Sequence, residues 1–368
     1  MFIRTAFLLW FWLPFASQPS QILPATASPQ LFRLHEGLRP LQLKLPANWS
    51  AADCGQCHVS EYQSWNRSRH RKSWSNKLLQ EGFVHETQKP CVHCHAPLQE
   101  QAAEIWRNMD WYLARKNTSN SPMNPVSYQP EPLASEGITC VTCHWREGAV
   151  LSSNSANNAP HPVRKTNHFA GPELCKGCHE FHFPATVNGQ LIAGTLAAQS
   201  TVTEWEQWRA QGGTKSCVDC HMPNGSHAFP GAHDLTMLRS AIAIKVQPTN
   251  AQVLFSLSSR NIGHHLPTGD IFRRITLEVA PLNGDFVVIH RIGRRYRFME
   301  KSRKRTLQED SSLRPGETRE IKYATAAPIR WRLRYHYTSE LEASKGWIPP
   351  ADLVKVLAEG TTETTGLP

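Results

Sequence analysis

The sequence predicts a mainly α, loop-rich domain over residues 50–238, followed by a small all-β, sandwich-like domain over residues 239–348. Three observations predict it. One element, Cys-x-x-Cys-His, recurs five times between Cys54 and His221. The chain of 368 residues is 40% apolar, below the globular average of about 45–50%, so something besides aliphatic side chains fills part of its interior. After about residue 240 the cysteines stop and short alternating strands begin.

Taken in chain order, the first element is an address. Met1 to Arg4 is a short basic start, Thr5 to Ala16 is an apolar run, and Ala25-Thr26-Ala27 is a small-residue cleavage site. Residues 1–27 read as a cleaved export signal and residues 28–49 as a linker. The expected location is periplasmic or otherwise extracytoplasmic, which argues against nucleic acid as a partner. No internal apolar run reaches the roughly 18–20 residues of a spanning helix. Export also permits disulfides, so ten cysteines allow five bridges in principle.

Their spacing argues otherwise. The five copies are Cys54 to Cys57 with His58, Cys91 to Cys94 with His95, Cys140 to Cys143 with His144, Cys175 to Cys178 with His179, and Cys217 to Cys220 with His221, and no cysteine is left over. With 18 His in the chain, a His after each of five such pairs has odds by accident below about one in a million. The element is the attachment sequence of c-type haem. Its spacing lets both sulfurs reach the vinyl groups of one haem while the adjacent His reaches the iron as proximal ligand. Structural zinc needs such elements in pairs to gather four ligands, and five is odd. Five covalently bound haem c groups are therefore expected, with His58, His95, His144, His179 and His221 as proximal ligands.

Roughly 35 residues per haem cannot build a separate core around each one, so stacked haems are expected to be the core, packed on residues such as Trp49, Trp65, Trp74, Trp145, Trp205 and Trp208. Charge agrees. Forty Lys and Arg against 30 Asp and Glu give a net charge of +10, and removal of Arg4 with the signal leaves +9. About ten haem propionates would balance this, so bound cofactor is the simplest anion for a basic chain.

Thirteen other histidines are available as distal ligands. His70 follows the first motif on a stretch that reads as helical, about 18 Å along from His58, and so is expected to serve a different haem. His161 and His168 share a Pro- and Asn-rich segment before the fourth motif, on one side if that segment turns helical. His227 and His233 follow the fifth motif in a Gly/Pro loop, from which one ligand is expected; His233 is placed in the ligand set. Met109, Met123 and Met222 are weaker candidates, better suited to packing.

These residues resemble a known family. Cys54-x-x-Cys57-His58 with Trp65 and Ser68-Arg69-His70, then Gly137-Ile138-Thr139-Cys140, then Cys217-x-x-Cys220-His221-Met222-Pro223, look like the multihaem cytochromes c related to the tetrahaem carrier of ammonia oxidisers and to hydroxylamine oxidoreductase. The resemblance covers roughly residues 50–235. It implies closely stacked haem pairs and largely bis-His iron, with His70 and His168 matching distal ligands. The departures are a fifth haem, no His between His95 and Cys140, and a long cysteine-free tail.

In that tail, Ile242 to Val246, Gln252 to Ser258, Ile275 to Val279, Phe286 to His290, Ile321 to Ala324 and Trp331 to Tyr337 read as strands. The segment Asn261 to Gly269 resembles a loop of β-domains attached to such cytochromes, which makes His264 a further distal candidate. Arg291 to Arg305 carries eight basic residues and one acid, read as a solvated hairpin or a docking face. Residues 349–368 read as a short helix, opened by Pro349-Pro350 and closed by Gly360, with a tail.

The leading functional expectation is an exported carrier that relays single electrons between redox proteins such as a quinol dehydrogenase, a soluble cytochrome or a terminal reductase, with room for peripheral membrane or complex association. The alternative is a multihaem oxidoreductase with one open iron, acting on a small nitrogen or sulfur oxide. The second motif has the fewest obvious ligands, whereas no motif is the Cys-x-x-Cys-Lys of pentahaem nitrite reductases. A subunit of a haem wire or outer-surface conduit is a third reading.

Overall fold

The structure is a computed structural model that describes residues 49–85, 89–108, 132–146, 148–156, 158–187, 190–299, 304–344, 346 and 349–362. The expected export signal, nearly all of the linker, Met109, Met123 and the last residues of the tail lie outside the described residues.

The first half is a string of short helices: α1 Ala51–Gly55, α2 Val59–Arg67, α3 Lys77–His85, α4 Lys89–His95, α5 Gln99–Arg107, α6 Pro132–Ser135 and α7 Cys140–His144. A small sheet follows, in the order β1 Trp145–Arg146, β2 Ala149–Ser152 and β3 Val163–Lys165, and then α8 Glu173–His179. Next comes a hairpin of β4 Glu180–Val187 and β5 Gln190–Ser200, then α9 Thr201–Ala210, α10 Cys217–His221 and α11 Leu235–Ser240. The half is helical and loop-rich as expected, but the two small sheets were not expected. His161 and His168 also lie on no common helix: one precedes β3 and the other opens a 3-10 turn at His168–Ala170.

Long-range polar bonds hold these short pieces together. The buried Glu136 carboxylate accepts from Ala51 N at 3.0 Å and from Thr139 Oγ1 at 2.9 Å, which ties the start of α1 to the start of α7. Trp65 Nε1 donates to Ile138 O at 2.7 Å. Gly137 between them has φ +64°, and a Cβ there would lie 2.4 Å from Ser73 Oγ and 2.6 Å from His70 O. Only glycine takes that conformation in that space at no cost.

The second half is two antiparallel sheets sharing one core. The strands are β6 Ile242–Pro248, β7 Gln252–Ser259, β8 Arg274–Pro281, β9 Val287–Met299, β10 Lys304–Asp310, β11 Thr318–Ala324, β12 Ile329–His336 and β13 Val354–Thr361, with α12 Glu340–Ser344 and α13 Pro350–Leu353 between the last two. One sheet runs β10-β9-β8-β12-β13 and the other β11-β7-β6. Val253, Phe255 and Leu257 of β7 pack with Ile275, Leu277 and Val279 of β8 and with Leu333 of β12, as the period-2 alternation of these strands requires.

One expectation needs correction here. The C-terminal helix stops at Leu353; Val354 to Thr361 is a strand on the edge of β12. The segment Val354-Lys355-Val356-Leu357 is β-branched and alternating, and pairing with β12 outweighs the local helix signal. The basic stretch is the β9–β10 hairpin, and part of its charge is already engaged: Arg294 with Glu204 and Asp310, Arg295 with Glu309 at 3.1 Å, and Arg305 over the Phe183 ring at 5.1 Å.

The halves interlock. Leu78 of α3 and Leu235 of α11 pack on the β core, Tyr337 Oη donates to Ala232 O at 2.7 Å, and Arg239 Nη2 donates to Val356 O at 3.1 Å.

Candidate metal and cofactor centre

Every motif lies on or beside a single helical turn. In the first and last, a serine caps the turn: Ser50 and Ser216 accept from Asp53 N and Asp219 N at 3.3 Å, while those carboxylates accept from the serine N–H at 2.8 and 2.7 Å. Hydrogen bonds from Ser50 and Ser216 hold both carboxyls below the usual range. The signal was legible as Ser-x-x-Asp in both places.

All ten cysteines and all five motif histidines line one cavity of about 1970 Å³. That is about twice the upper limit of single small-molecule sites. The ten thiols are free, so no disulfide forms. Thiols of different motifs meet instead: Cys54 lies beside Cys140, Cys94 beside Cys178, and Cys175 beside Cys217. Cys143 in turn lies near Cys178 and Cys175. In space the motifs therefore run first, third, fourth, with the second and the fifth both beside the fourth.

Across this cavity the imidazoles face one another in pairs. Ring centres are 6.5 Å apart for His58 and His161, 6.3 Å for His179 and His70, 6.1 Å for His144 and His227, and 6.2 Å for His221 and His264. Two metal–nitrogen bonds of about 2 Å each, plus about 1 Å from each nitrogen to its ring centre, require about 6 Å. Four of these eight rings hold Nδ1 against a backbone carbonyl: His144 with Leu151 O at 2.9 Å, His221 with Pro230 O at 2.6 Å, His227 with Gly225 O at 3.0 Å and His264 with His265 O at 2.9 Å; Nδ1 of His179 lies 3.1 Å from Gln199 Nε2 instead. A backbone carbonyl fixes the Nδ1–H tautomer and leaves Nε2 free for a metal. Burial lowers His70 to about 3 and His179 to about 4, and also lowers His95, His144 and His264, so these rings are neutral, as ligation requires. Among the described residues no three His, Cys, Asp or Glu gather as a zinc site needs. Paired imidazoles, paired thiols and a cavity of this size fit covalently attached haem.

Of the expected distal residues, His70, His161 and His264 each face a motif histidine. His168 lines the cavity, with its N–H bonded to Thr166 Oγ1 at 3.2 Å, and faces no motif ring among the described contacts. His233 lies flat on Tyr337, ring centres 4.2 Å apart, and its neighbour His227 takes the place opposite His144. The sequence narrowed the choice to these two. Selecting between them takes the fold, because His227 N donates to Ser64 Oγ at 3.0 Å, a residue of α2.

His95 differs from the other four. Its Nδ1 lies 3.2 Å from Ser73 O, yet no imidazole faces it among the described ring contacts. Asp270 is the acid that acts on it electrostatically. Asp270, Arg273, Arg69 and His233 line the same cavity; Arg273 lies 4.9 Å from the Tyr337 ring, and its buried Nη1 has no hydrogen-bond partner.

One comparison with known proteins bears on the fold. The chain is similar to the crystal structure of a penta-heme cytochrome c552 from Thermochromatium tepidum, with TM-score 0.60 and 18% identity, over 85% of this chain and 98% of that one. Residues 50–238 alone cannot supply that coverage, so the likeness spans both halves. No family model matches, and no curated protein matches. Among the described residues no helix is long and apolar enough to cross a membrane.

Proposed function

We propose that the chain is an exported pentahaem c-type cytochrome that relays single electrons between redox proteins, and that four of its irons are held by His58 with His161, His179 with His70, His144 with His227, and His221 with His264. The four facing imidazole pairs carry this reading. When bound, haem supplies reversible one-electron chemistry at iron. The chain's part would be to anchor each ring through two cysteines, to offer four of the irons a pair of imidazoles, and to keep the motifs in contact. Carbonyl oxygens on Nδ1 of His144, His221, His227 and His264 would make those four imidazoles stronger donors, which would favour oxidised iron and lower its potential. The contacts between motifs support an electron path from the first through the third to the fourth, with the second and fifth as two outlets. Export to the periplasm, partners such as a quinol dehydrogenase or terminal reductase, and kinship with the tetrahaem carriers belong to the same reading.

The second motif favours one further reading. With no imidazole opposite His95 among the described residues and two arginines and His233 lining the cavity, that position suits an oxidoreductase acting on a small nitrogen or sulfur oxide. Arg69 and Arg273, which line the same cavity, would hold the anion. Electron paramagnetic resonance of the oxidised holoprotein with and without nitric oxide separates the two. Five low-spin irons that ignore nitric oxide make it a carrier alone, whereas one high-spin iron that binds it makes the second motif a reaction site.

A further inference from the structure

The residue opposite His221 comes from the other half of the molecule. His264 sits in the loop between β7 and β8, and its ring is parallel to that of His221 within 9°. The loop bears on α9 of the first half. At Gly263 a Cβ would lie 2.7 Å from the Trp208 ring of α9, so glycine lets the loop rest directly on that indole. One turn earlier on α9 is Glu204, only 3% exposed. Its Oε2 accepts from His265 N at 3.2 Å and from Thr268 Oγ1 at 2.6 Å, both in the His264 loop, and its Oε1 accepts from Arg294 of β9. His265 is also the residue whose carbonyl accepts from His264 Nδ1, at 2.9 Å. A carboxylate so deeply buried is tolerated only when it is paired and hydrogen-bonded, and nearly all its partners here belong to the second half or to its loop.

We infer that Glu204 is a positioning residue: with Arg294 it latches the β half onto the first half so that His264 stays opposite His221, and the charges of this pair tune the potential of that site. The inference rests on the reading that His221 and His264 share an iron. The β half is then part of the redox site, since no other described ring faces His221. The latch acts through two peptide groups, and its effect should be confined to one haem of the five.

The test uses the holoprotein of wild type and the variants H264A, E204Q, E204A and R294Q, read by electron paramagnetic resonance, spectroelectrochemical titration and uptake of free imidazole. H264A turns one low-spin signal high-spin and identifies the haem concerned. E204Q, which keeps shape and removes a negative charge, raises the potential of that same haem, and R294Q lowers it; a purely structural role would not give opposite signs. E204A loosens the loop, so that haem takes up free imidazole at least tenfold more readily than in wild type, while the other four are unmoved. If H264A changes one haem but E204Q and R294Q leave its potential at the wild-type value, or shift all five alike, the inference is overturned. If H264A leaves every signal in place, the ligand reading itself is wrong. E204Q is nearly isosteric, so the test stands even where E204A fails to accumulate.

Discussion

In residues 242–361 the chain supplies its own interior. Phe255, Leu257, Ile275, Leu277, Val279 and Leu333 are fully buried and form one contiguous cluster between two sheets. In residues 49–240 it does not. There the buried apolar residues fall into small groups, Trp74 with Phe83, Val92 and Ile105, and Leu98 with Val141, set around a cavity lined by ten cysteines and by the facing histidines. Both halves come from one chain of moderate apolar content. The contrast shows where the aliphatic deficit lies: a β half with an ordinary core, and a half built around a large cavity.

The largest expected effect follows from that difference. Produced without haem attachment, residues 50–238 should lose their fold while the β sandwich persists, giving a protease-resistant fragment that begins near residue 240 and keeps its strand circular dichroism. Equal resistance of both halves would break the comparison. Phe255→Ala, in the centre of the aliphatic core, should cost about 3–5 kcal/mol in denaturant unfolding, with the haem count unchanged. In the first half the informative changes are spectroscopic. His227→Ala should turn one low-spin haem high-spin, and His233→Ala should leave all the low-spin signals intact, because the first ring faces His144 and the second rests on Tyr337. The reverse result would restore His233 to the ligand set. Gly137→Ala should cost about 1–3 kcal/mol through its positive φ and its contacts with Ser73 and His70, measured by thermal unfolding of the holoprotein. The smallest effect is that of Ser216→Ala, roughly 1 kcal/mol for the lost cap of the fifth motif, with its haem still attached.

What could be read from the sequence divides along the same line. The five motifs were legible because haem attachment is local chemistry: two thiols and an imidazole within one turn, as in Cys140 to His144. The strands β6, β7, β8, β11 and β12 were legible because each shows its own alternation. The distal candidates were only partly so, since each comes from a different part of the chain: His161 faces the first motif's histidine, His70 the fourth's and His264 the fifth's. His227 and His233 sit in the same Gly/Pro loop, and the contact of His227 N with Ser64 decides between them. Two of the strands that escaped reading, β10 and β13, lie at the two edges of the larger sheet, where pairing with a remote neighbour outweighs local pattern. Glu204 carried no signal at all. Nothing in Thr201 to Ala210 says which of its two glutamates is buried beneath a loop of the other half.

The measurement that bears most directly on the whole account is a haem count by pyridine haemochrome on the purified oxidised protein, read together with its electron paramagnetic resonance spectrum. The account predicts five covalently bound haems per chain, with at least four low-spin irons carrying the signature of two axial imidazoles. Fewer than five haems, or fewer than four such irons, would contradict it.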